Sequence, residues 1–116
     1  MAFVKIDEKL PRHPKMLAAM SIQAGAFGLY VAAVCYANEH RTDGLILHSA
    51  LSALLPAIPR PKPVAAALVT ARLWEPIEDA WLIHDYLEHQ ASAAQIEAKL
   101  RKDSARKRNG TGAEFQ

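Results

Sequence analysis

Leu73-Trp74-Glu75-Pro76-Ile77-Glu78-Asp79-Ala80-Trp81-Leu82-Ile83-His84 is the stretch on which the fold of this chain turns. Two runs rich in aromatic and aliphatic residues, Leu73–Ile77 and Trp81–His84, flank the short polar tip Glu78-Asp79-Ala80. That pattern predicts a β-hairpin. Pro76 has no N–H to donate, so the first strand belongs at a sheet edge. Trp74 and Trp81 read as core and cross-strand partners.

Working toward the N-terminus, the four prolines Pro56, Pro59, Pro61 and Pro63 predict a rigid connection without an interior helix. A helix follows from Pro63, with Val64, Ala67, Leu68 and Ala71 as its buried stripe and Lys62, Ala66, Val69 and Thr70 facing outward. Before the prolines, Ser49 is positioned to cap a helix through Ala50, Leu51, Leu54 and Leu55. Leu45-Ile46-Leu47 is a short strand after the turn Thr42-Asp43-Gly44. Ala26–His40 is the strongest helix. Phe27, Tyr30, Val31 and Val34 recur at helical spacing, and the opposite side, with Leu29, Ala32, Ala33 and Tyr36, is apolar too. Such a helix is central to the core; the competing reading makes Leu29 and Tyr36 a homodimer face. Lys15–Ile22 makes two helical turns, and Phe3–Asp7 is a strand or extended arm. Toward the C-terminus, Tyr86 and Leu87 return to the core. Ser92 and Gln95 then form an S-x-x-Q capping box for a last helix.

The order helix, strand, helix, turn, helix, hairpin is that of a winged helix-turn-helix: mainly α with a small sheet, plus an extra basic C-terminal helix. The boundaries expected are 1–90 for the winged domain, 91–108 for the basic helix and 109–116 for a disordered tail. A chain of 116 residues suits one hydrophobic core. One cysteine, Cys35, excludes an internal disulfide and suits a reducing compartment; its place in the apolar helix predicts an inert packing residue. The N-terminus has no signal-peptide pattern, and the longest apolar run, Phe27–Ala37, is too short to span a bilayer, so no membrane is expected.

Residues 1–90 hold eight Lys and Arg against nine Asp and Glu, whereas residues 91–116 hold six against three. The positive excess therefore sits at the C-terminus. Within ten positions lie Lys99, Arg101, Lys102, Arg106, Lys107 and Arg108, each able to neutralise a phosphate. A solvated helix end supported by Glu97–Arg101 and Lys99–Asp103 pairs is the competing reading. On the recognition helix and its flanks, only Arg60, Lys62 and Arg72 bring charge, with Thr70 beside them. Base readout calls for Arg, Lys, Asn or Gln at several outward positions, so this face suits backbone contacts better than base edges. Glu75, Glu78 and Asp79 place negative charge on the wing. Ala66 and Val69 form an apolar outer patch suited to a protein partner.

The five histidines lack the paired, closely spaced ligands of a zinc site, and no phosphate-binding glycine loop or nucleophile–base arrangement is visible. Neither catalysis, a metal nor a cofactor is expected.

Phe3-Val4-Lys5-Ile6-Asp7, His13-Pro14-Lys15, Leu29-Tyr30, Thr42-Asp43-Gly44-Leu45-Ile46, Leu73-Trp74-Glu75 and His84-Asp85-Tyr86-Leu87-Glu88-His89-Gln90 share an order and spacing across residues 3–90. That series resembles the N-terminal winged helix-turn-helix domain of phage and prophage replication-initiation, helicase-loader-like proteins. The resemblance implies a DNA-associated protein of the bacterial host cytoplasm, acting on double-stranded DNA in replication or regulation. The length suits a stand-alone phage protein. The alternative is a docking winged helix that binds or inhibits a host or phage replication or transcription protein.

Overall fold

A computed structural model describes the backbone of residues 3–114 and the side chains of residues 3–104. Its elements are α1 (Pro14–Ile22), α2 (Ala26–His40), β1 (Leu45–Leu47), α3 (Leu51–Leu54), α4 (Pro61–Thr70), β2 (Trp74–Ile77), β3 (Ala80–Ile83), α5 (Tyr86–His89) and α6 (Ala93–Glu114). The strands form one antiparallel sheet in the order β1-β3-β2. β1 therefore joins the hairpin on its far side, and β2, with Pro76, is an edge. This is a winged helix-turn-helix carrying an extra C-terminal helix.

Helices α1, α2 and α4 pack on one another and form the helical layer. The first two are turned by 116° across Gln23-Ala24-Gly25. Inward-facing α2 residues are Ala26, Leu29, Ala33, Val34 and Ala37. That differs from the expected stripe, because Phe27, Tyr30 and Val31 are only half-buried. Small alanines let neighbouring helices approach closely, and that selects the alanine side of a helix apolar all round. Leu29 is wholly buried, so it cannot serve as a homodimer face. Tyr36 packs against the same core and stacks at 4.3 Å on His40. Cys35 is exposed rather than packed, since it lies on the side of α2 that no element covers.

Two prolines open α4, which begins at Pro61, two residues earlier than expected. Its first turn has N–H groups without helical partners, so proline there forfeits no hydrogen bond. Val64, Ala65, Ala67 and Leu68 are buried, whereas Ala71 is half-buried. Ser49 caps nothing. It lies in a 3-10 turn, His48–Ala50, that leads into α3, and Leu55 is extended beyond that helix. The arm 3–7 has no regular secondary structure and does not join the sheet. Gln90 holds it instead: Lys5 N–H donates to Gln90 Oε1 at 2.9 Å, and Gln90 Nε2 donates to the Lys5 carbonyl.

The sheet's inner face carries Ile46, Trp74 and Ile83, all buried. Trp74 and Trp81 meet diagonally at 5.4 Å, and Trp81 also packs against His48 at 4.2 Å with the rings tilted by 48°. Gly44 stands at φ +91° against the Tyr86 ring, and Tyr86 closes the core. Leu87 instead faces solvent, because the α5 turn has a single inward position.

The capping box of α6 is complete: Ser92 N–H donates to Gln95 Oε1 at 2.8 Å, and Gln95 N–H to Ser92 Oγ at 3.1 Å. Ala93 N–H donates to Asp43 Oδ1 at 2.6 Å, and Arg41 pairs with Glu97 at 3.5 Å. Those two contacts tie the first turn of α6 to the α2–β1 loop. Glu97 thus faces the folded body through Arg41 rather than supporting Arg101. Backbone helix continues past Arg108 to Glu114, through residues 109–114 of the expected tail; once nucleated, a helix gains one hydrogen bond per added residue. Among the described residues, no single helix is long and apolar enough to cross a membrane.

Candidate nucleic-acid interface

The outward face of α4 comes from simple periodicity. Lys62, Ala66 and Thr70, spaced at four residues, are all exposed. Arg60, just before the helix, is exposed as well. Val69 is half-buried and packs against the core, so the apolar patch expected from Ala66 and Val69 shrinks to Ala66 and one edge of Val69. No Asn, Gln or Arg stands among the exposed positions of α4 itself.

Arg72 sits where α4 ends. Leu73 N–H donates to the Leu68 carbonyl at 2.9 Å, and Arg72 N–H to the Val69 carbonyl at 3.0 Å. That pair of bonds is a Schellman motif, with buried Leu73 against buried Leu68. Its left-handed position usually holds glycine, yet Arg72 occupies it at φ 63°. A side chain there costs about 1 kcal/mol relative to glycine, and the backbone turn leaves this guanidinium exposed.

Charge is segregated along the fold. Residues 9–38 and 44–74 contain no Asp or Glu. Helices α1, α3 and α4 and residues 26–38 of α2 are therefore free of acid, and Lys15 and Lys62 are their only Lys or Arg. Acidic side chains stand at the N-terminal arm (Asp7, Glu8), at the end of α2 and in the loop after it, on the wing and after β3. Glu78 and Asp79 are exposed at the wing tip. Glu75 is differently placed: its Oε1 lies 2.6 Å from His84 Nδ1, and His84 Nε2 lies 3.1 Å from Asp85. Read from the sequence, Glu75 is a wing charge with no partner named for it. The cross-strand register, Trp74 opposite Ile83, brings the three together.

Lys99, Arg101 and Lys102 are exposed on α6. The side chains of Arg106, Lys107 and Arg108 lie outside the described residues. Anchored to the α2–β1 loop, α6 is held by a different part of the fold from α4, which packs on α1, α2, α3 and β2. The two basic groups are thus carried by elements anchored at different parts of the fold.

His13 caps α1, its Nδ1 accepting from Lys15 N–H at 3.1 Å. A groove of about 700 Å³ runs between the N-terminal arm and the segment after β3, with Lys5, Lys9, His13, His84, Asp85 and Glu88 among its walls. Among the described residues, no group of three His, Cys, Asp or Glu is placed to hold a metal ion. No known protein family, curated protein or solved structure matches the chain.

Proposed function

We propose that this chain is a phage-type winged-helix protein that binds double-stranded DNA chiefly through the phosphate backbone, in replication or its regulation. The observation carrying this reading is the acid-free helix-turn-helix surface, with Arg60, Lys62 and Arg72 exposed around α4. A face of Lys62, Ala66 and Thr70 allows close approach to a duplex while offering little for base edges. Lys99, Arg101 and Lys102 add a second basic surface on α6. Counterion release makes such binding steeply salt-dependent, with a slope of about −0.9 per phosphate contacted. Fluorescence anisotropy with two duplexes of unrelated sequence tests it. Similar affinities falling together as salt rises support backbone binding; no binding at low salt refutes it.

Protein docking is the second reading, and one observation favours it. Strand alternation puts Leu45, Leu47, Leu82 and Ile77, with Glu75, on the sheet face opposite the core, and Leu47 and Ile77 are exposed. A largely apolar outer sheet face with acidic groups at its edge and at the wing tip suits a host or phage replication or transcription protein. A pull-down from bacterial lysate with and without nuclease separates the two readings. A partner lost with nuclease means nucleic acid, and one retained means protein.

A further inference from the structure

A cleft of about 320 Å³ opens where the end of α4 meets the edge strand β2 and the start of α1. Lys15, Val69, Arg72, Trp74, Glu75 and His84 line it. Two cations from distant parts of the sequence thus share one concavity. Trp74, only 1% exposed, carries an indole Nε1–H with no hydrogen-bond partner. A buried donor without an acceptor is costly, and such groups call for an explanation. The one carboxylate of the cleft, Glu75, is held by His84 Nδ1 at 2.6 Å, and the other nitrogen of that imidazole lies 3.1 Å from Asp85.

We propose that this cleft is a phosphate clamp in which Lys15 and Arg72 together hold one backbone phosphate of duplex DNA; the assignment rests on the backbone-binding reading above. Arg72 presents a planar fork of donors and Lys15 a point charge, which complement each other around a phosphodiester's two free oxygens. Arg72, at φ 63°, follows directly on the end of α4, whose outward face would approach the duplex. The clamp also gives Lys15 a role, although it lies outside the helix-turn-helix pair.

Lys15→Gln, Arg72→Gln and the double variant of the full chain test the clamp by anisotropy with duplex DNA across a salt series. Because one phosphate is shared, each single change leaves it partly neutralised and is expected to flatten the salt slope by less than about 0.9, and the double variant by about 0.9, equally for unrelated sequences. An additive loss of about twice that value means two separate phosphates and overturns the clamp. Unchanged slopes in all three variants, with wild-type protein still binding, overturn it too while leaving the DNA reading intact. Wild-type protein that binds no duplex overturns both. Inorganic phosphate at matched ionic strength is expected to leave the DNA affinity unchanged; strong competition identifies a free-phosphate site instead and refutes the assignment. Neither side chain belongs to the core, so unchanged thermal midpoints confirm that the variants are folded.

Discussion

At Gly44 the backbone sits at φ +91°, and a Cβ built there would stand 2.7 Å from Tyr86 Cβ. Gly44→Ala therefore combines backbone strain with overlap against a core ring, and a loss of about 2–4 kcal/mol in urea unfolding is expected. Tyr86 itself has a buried hydroxyl without a partner. Burial, then the nearby charges of Asp43 and Cys35, push its pKa up to about 12 from 10.0. The folded state thus holds the phenolic proton more tightly than the unfolded chain. Its contribution to stability is complete below pH 10 and is lost as pH rises from 10 through about 12. Tyr30, raised mainly by burial, adds to that loss. Tyr86→Phe is expected to unfold within about 1 kcal/mol of wild type, or later, at pH 7. It should also lessen the alkaline loss, as urea midpoints at pH 8 and 11 will show. Arg72→Gly relieves the left-handed strain at the end of α4, so it should raise stability by about 1 kcal/mol while weakening duplex binding. Loss of both together would contradict a strained residue kept for binding.

Elements whose signals are local were legible in the sequence. The bounds of α2 and β1 follow from helical periodicity and the Thr42-Asp43-Gly44 turn, and the hairpin from two apolar runs about a polar tip. The Ser92/Gln95 capping box is realised atom for atom. Misreadings arose where two local signals compete or where tertiary contacts decide. A helix apolar on both sides does not reveal which face packs inward, so Leu29 was offered as an interface and proves fully buried. Ser49 has the chemistry of a cap, but the chain makes a 3-10 turn there. Pro61 and Pro63 look like breakers, yet both fit a first turn. Of the proposed binding surface, Arg60, Lys62, Thr70 and Arg72 could be named from sequence because their exposure follows from the α4 stripe. The meeting of Lys15 and Arg72 in one cleft and the contact of Glu75 with His84 could not, since they depend on how α1, α4 and the sheet assemble. Ser92→Ala removes the acceptor for Gln95 N–H, at a cost of about 1 kcal/mol to the helix. Faster amide exchange over residues 93–99, with α2 and α4 unaffected, is the expected result.

As a whole molecule, the protein joins a folded body of nearly balanced charge to a helix carrying the basic excess. The body closes on itself through the Lys5–Gln90 hydrogen bonds, across 85 residues of sequence. α6 is tied to that body by Asp43 and Arg41. Removing residues 99–116 is therefore expected to weaken duplex binding and flatten its salt dependence while leaving the thermal midpoint in place. The most direct test of the central claim is a salt titration of the full-length protein against duplex DNA. Backbone binding by the winged helix predicts a linear fall of log affinity with log salt, the same for unrelated sequences and shallower after Lys62→Gln and Arg72→Gln. No retention of duplex at low salt, or an affinity indifferent to salt, would contradict it.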